Sequence, residues 1–86
     1  MPRDISFQPI SVLIDGHDSE GRLILAGGQL VAVIVRLDRQ THNPEHKGQW
    51  HLEAGFGKCE ARNAPLFRTP DEAGAWVKHT LTGKAA

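Results

Sequence analysis

The segment RLILAGGQLVAVIVRLD, residues 22–38, sets two runs rich in branched apolar residues on either side of Gly27-Gly28. Two glycines accept the positive φ angles needed at both central positions of a type I′ turn, so the segment predicts a β-hairpin. A two-residue turn pairs Ala26 with Gln29, Leu25 with Leu30, Ile24 with Val31 and Leu23 with Ala32. Because side chains alternate along a strand, one face is expected to carry Ile24, Val31, Val33, Val35 and Leu37. The other face is expected to carry Leu23, Leu25, Leu30, Ala32, Ile34 and Arg36. Both faces are apolar, so both call for cover.

The flanking segments supply further elements. PISVLID, residues 9–15, reads as a strand joined to the hairpin by the polar loop GHDSEG, residues 16–21. QWHLEAG, residues 49–55, alternates with Trp50, Leu52 and Ala54 on one side and His51 and Glu53 on the other. Residues 39–48 are polar, contain Pro44 and Gly48, and read as a loop. In RTPDEAGAWVKHTLTG, residues 68–83, Thr69 suits an N-cap, Pro70 the first helical position, and Glu72 completes a capping box. Helical spacing gathers Ala73, Trp76, Val77, Thr80 and Leu81 on one face, with Gly74 beside it at a cost of about 1 kcal/mol relative to alanine. The expected fold class is α+β: an antiparallel three- to four-stranded meander with one C-terminal helix packed on one face. Residues 1–86 are expected to form a single small domain, with 1–8 and 83–86 as flexible ends.

A helix with Phe67 ahead of it is expected to cover the sheet face bearing Val31, Val33, Val35, Trp50 and Leu52. The cover for Leu23, Leu25, Leu30 and Ile34 is left open by one helix. The amino-terminal segment folds over them, a second copy or another protein docks there, or the patch is tolerated. An apolar patch of this kind is more often an interaction site than an accident, which favours self-association.

Charge narrows the function classes. With 86 residues, ten basic and ten acidic side chains, the chain has no net charge, which removes the electrostatic footprint of a typical nucleic-acid or anionic-membrane binder. Charge is nevertheless uneven: residues 1–21 carry one basic against four acidic side chains, and residues 22–68 carry seven basic against four acidic. A lone cysteine, Cys59, forms no intrachain disulfide, and the longest apolar run, Leu30 to Val35, is far short of a membrane span. With no signal-peptide pattern at the amino terminus, a soluble cytoplasmic protein is expected.

Chemistry-bearing residues concentrate in THNPEHKGQWHLEAGFGKC, residues 41–59. His42 and His46 have the spacing of one half of a zinc site, and His51 and Cys59 are the candidates for the other half. Seven residues separate His51 from Cys59, too many for the compact turn that presents a ligand pair, so the histidines read as surface side chains and no metal or cofactor is expected. Cys59 lacks the local signature of a nucleophile and reads as inert packing. His17, among Asp15, Asp18 and Glu20, lacks the glycine and the twelfth-position glutamate of a calcium loop. No catalytic residue is expected, and the chain reads as a non-enzyme.

In element order, three strands followed by a helix, residues 22–82 resemble the DNA-binding modules of the plant ethylene-response and phage integrase type. The tryptophan-bearing GQWHLEAG and the helix start LFRTPDEAGAW carry the likeness. That resemblance implies a sheet face that reads DNA with arginine and tryptophan, for which this chain offers Arg36 among Leu23, Leu25, Leu30 and Ile34. The pattern equally resembles small sheet-and-helix proteins of unknown function found in bacterial genomes. The expected function is a small non-catalytic protein-interaction domain, homodimeric through the second sheet face. The alternatives are a nucleic-acid-binding module using residues 22–68 and, third, a His/Cys zinc-binding domain.

Overall fold

The computed structural model describes residues 4–14, 16–37, 47–61 and 64–82. Four strands, β1 (Ile5–Ile14), β2 (His17–Ala26), β3 (Gln29–Arg36) and β4 (Trp50–Gly55), form one antiparallel sheet in the order β1-β2-β3-β4. A 3-10 turn, Gly57–Cys59, follows, and then a single helix, α1 (Pro70–Thr82). The architecture is the α+β meander with one C-terminal helix that the sequence predicts, with four strands.

Strand β1 begins earlier than expected. Ile5 to Gln8, expected at a flexible end, pair with Ala26 to Leu23, and Ile5 and Phe7 pack against the core. The loop expected at 16–21 is instead the first part of β2, because Ile14 pairs directly with His17 across a two-residue turn in which Gly16 has φ +81°. With the chain reversed at Gly16, the ladder continues through Asp18, Ser19 and Glu20.

At the central hairpin both turn glycines have positive φ, 59° and 82°. Ala26 pairs with Gln29 and Leu25 with Leu30 as expected, but the register shifts before the next pair. Ile24 then lies opposite Ala32, Leu23 opposite Val33, Arg22 opposite Ile34 and Gly21 opposite Val35. Val31 is the extra residue of a β-bulge. An unmatched residue reverses which face later side chains occupy. Consequently Ala32 and Ile34, expected on the second face, are fully buried in the core with Val31, and Val33 and Val35 move to the face of Leu23, Leu25 and Leu30.

A second shift occurs between β3 and β4, where Val33 pairs with Ala54 but Ile34 pairs with Leu52, leaving Glu53 as the extra residue. Trp50 and Leu52 therefore share the core face as predicted, while Ala54 joins Val33 on the opposite side.

The helix is capped as its sequence requires. The Thr69 hydroxyl oxygen accepts from the Glu72 N–H (3.2 Å), and the Glu72 carboxylate accepts from the Arg68 N–H (3.1 Å), one residue ahead of the usual reciprocal partner. Ala73 and Val77 are fully buried, and Trp76 meets Phe67 at 5.8 Å between ring centroids. The same helix passes over Phe7 so closely that a Cβ at position 74 would stand 2.6 Å from the ring's Cζ and 3.3 Å from Ile5 Cγ2. Gly74 is thus the helix's point of contact with β1.

This contact makes a prediction opposite to helix propensity. Gly74→Ala should gain about 1 kcal/mol of propensity but lose about 1–3 kcal/mol by overpacking. Urea unfolding should show a lower midpoint than the wild type; a higher midpoint would mean that the helix does not sit on Phe7.

Candidate functional site

Helix α1 lies against the face built from Ile5, Phe7, Ile24, Ala26, Ala32 and Ile34. The opposite face is a second surface of the same sheet, and no described helix or strand lies on it. Its centre consists of Leu25 paired with Leu30 and Leu23 paired with Val33, extended by Ala54 from β4. Leu30 is 42% exposed, and Leu23, Leu25 and Val33 are half-buried. On the β1 side Ile10 is 42% exposed and lies in the row Ile10, Gly21, Val35.

Gly21 shapes that row. An added Cβ there would stand 2.8 Å from Val12 Cγ2 and 3.2 Å from Ile10 Cγ2, so both side chains lean into the space above the glycine. Val35, beyond it, is 1% exposed although it points away from the helix. The face is in this way partly self-covered along one row and open along the two leucine rows. At the open end Phe56 donates its N–H to the Val31 carbonyl (3.0 Å) and is 50% exposed. Phe56 and Ile10 escaped sequence reasoning; the strand alternation Ile10, Val12, Ile14 is the signal that marks Ile10, and none marks Phe56.

No charged side chain stands among the leucines of this face. Ser6 and Gln8 pair with Leu25 and Leu23, so the polar groups beside the leucines are neutral. His51 pairs with Val35 at the β4 rim, where its Nε2 lies 3.2 Å from a Glu53 carboxylate oxygen. The nearby arginines point the other way. Arg22 lies opposite Ile34 and stacks its guanidinium 5.2 Å from the centre of the Trp50 ring, donating to Glu20 at 2.9 Å; Arg36 reaches the other oxygen of Glu20 at 3.4 Å. Arg36, expected on the second face, is therefore on the helix side, past the bulge and tied to Glu20. The open face thus carries aliphatic side chains where an arginine was expected.

The sheet's edges are guarded differently from its face. Asp4 accepts from the Gly27 N–H (2.9 Å), which sets the backbone groups of even-numbered β1 residues inward and those of odd-numbered ones outward. Pro9, in mid-strand, falls in the outward set and interrupts it, as expected of an edge proline. At the other edge Phe67 exchanges two backbone hydrogen bonds with Trp50, at 2.7 and 2.8 Å. Strand addition is hindered at both edges while the apolar face stays open.

The metal candidates separate. His42 and His46 lie outside the described residues. His51 is on the open side of the sheet, whereas Cys59 is fully buried in the core with Val77, so the sheet stands between the two. Among the described residues no group of three or more His, Cys, Asp or Glu side chains is placed to hold a metal ion. Burial pushes the Cys59 thiol above its ordinary pKa, the reverse of what an activated nucleophile requires. Among the described residues no helix is long and apolar enough to cross a membrane. Comparisons with protein families, with curated proteins and with solved structures return no match.

Two outcomes follow for Cys59. A thiol reagent at neutral pH should label it only at the rate of unfolding; rapid labelling of the native protein would contradict its burial. Because the folded state holds the thiol proton more tightly than the unfolded state, its contribution to stability is complete below the ordinary thiol pKa. That contribution is lost as pH rises above it.

Proposed function

We propose that this protein is a small non-catalytic interaction domain that docks a protein partner on the open face of its sheet. The observation that carries this reading is the placement of Leu23, Leu25, Leu30 and Val33 together on a surface that the helix does not reach, without a charged side chain among them. Placing apolar area in water forgoes about 25 cal/mol for each Å² left exposed. A sheet that needs only one face for its core gains nothing in the monomer from the apolar area that the other face leaves exposed, such as that of Leu30. Polar residues there would cost the fold little and would improve solubility, so the leucines make sense as contact residues.

Comparison of two equivalent substitutions tests the reading. In dilute solution, Leu30→Gln should change unfolding stability by no more than about 0.5 kcal/mol, as at a surface position. Ile34→Gln, four residues along the same strand but in the core, should cost more than ~3 kcal/mol by losing apolar burial and burying an unpaired amide. Equal, large losses at both positions would mean that the leucine face is already covered within the monomer, and the docking reading would fail.

A further inference from the structure

We infer that the occupant of this face is a second copy of the chain, the two sheets stacking face to face about a two-fold axis; this deepens the docking reading and rests on it. Three properties point to self-association rather than to a different partner. First, no charged group stands among the central leucines, and a neutral face has no electrostatic code by which to select a dissimilar protein. It is complementary to itself, which is what an isologous contact requires. A protein with no net charge also brings no overall repulsion to meeting its own copy.

Second, the edges direct association to the face. Pro9 interrupts the outward backbone groups of β1, and Phe67 holds those of Trp50. A copy that approached in the plane of the sheet would find a broken ladder. One that approached from above finds a twisted aliphatic surface of its own shape, the arrangement that sheets adopt when they pack about 10 Å apart with strands inclined by about 30°.

Third, the area is of the size a weak dimer uses. Four strands spaced about 4.8 Å apart and about eight residues long, at ~3.3 Å per residue, present on the order of 500 Å² on one face when its self-covered row and polar rim are included. Two such faces together approach ~1,000 Å², the lower limit for a specific interface. Leu30 and Phe56, 42% and 50% exposed, leave apolar area for such a contact. The dimer is accordingly a reversible one whose population depends on concentration. The rim pair of His51 and Glu53 stays at the edge of the contact, where water reaches it.

Sedimentation velocity across the micromolar range, read together with methyl NMR in the presence of a soluble nitroxide, tests the inference. The expected result is a shift from monomer to dimer mass as concentration rises. Leu30→Asp should remain monomeric throughout while keeping its circular dichroism spectrum. Leu30→Gln, an uncharged variant of similar length, serves if the aspartate variant does not fold, and should raise the dissociation constant at least tenfold. A dimer unchanged by either substitution overturns the inference, because the contact then lies elsewhere. A wild type that stays monomeric with its Leu23 and Leu25 methyl groups broadened by the nitroxide also overturns it, yet leaves a face open for another protein. A monomer with those methyl groups protected overturns both the second copy and the docking reading.

Discussion

Side chains alternate along a strand with a period of two, so one unmatched residue exchanges the faces of everything beyond it. In this chain that residue is Val31. Ahead of it the hairpin is regular, with Leu25 opposite Leu30; behind it Ile34 enters the core and Val33 leaves it. The helix can close over Ile24, Ala32 and Ile34 only because of this exchange. Leu23, Leu25 and Leu30 occupy the opposite face in either register, and the exchange brings Val33 to join them. The bulge decides which side chains of β3 belong to the core and which to the candidate docking surface.

Close packing then sets where the helix sits. Phe7 reaches across from the edge strand into the gap left by Gly74, so the first and last elements of the chain meet over the two middle strands. The capping interactions of Thr69 and Glu72 fix where the helix starts, and the Phe67 bridge to Trp50 fixes the direction from which the chain approaches it. The Phe7 contact and the Phe67 bridge tie the helix to the face away from the leucines. The function proposed for the sheet depends on this arrangement, since it leaves the helix on one side and the leucines on the other.

Much of this was legible before the fold was seen. The paired glycines announced the central turn, and the Thr-Pro-Asp-Glu sequence announced the helix start, because both rest on local backbone chemistry. Strand β1 was legible only from Pro9 onward: a proline reads as a boundary, and here it sits within an edge strand whose earlier residues, Ile5 and Phe7, alternate correctly with Ser6 and Gln8. The bulge was hidden for a different reason. Nothing in the run of residues 29–35 marks Val31 as unpaired, since its position is decided by which side chains the helix can cover. The error therefore fell on the candidate site itself, moving Ala32, Ile34 and Arg36 off the open face and bringing Val33 onto it. The pairing of His51 with Cys59 as ligands failed on similar grounds, because sequence spacing does not show on which side of a sheet a buried cysteine lies.

The bulge is the claim on which the β3 composition of both the core and the docking face rests, and nuclear Overhauser contacts across β2 and β3 test it most directly. The account predicts cross-strand contacts between Leu23 and Val33 and between Ile24 and Ala32, with the Ile34 methyl groups in the same cluster as those of Val77. Contacts between Leu23 and Ala32 and between Ile24 and Val31, with Val33 and Val35 beneath the helix, would contradict it and place Ile34 on the open face.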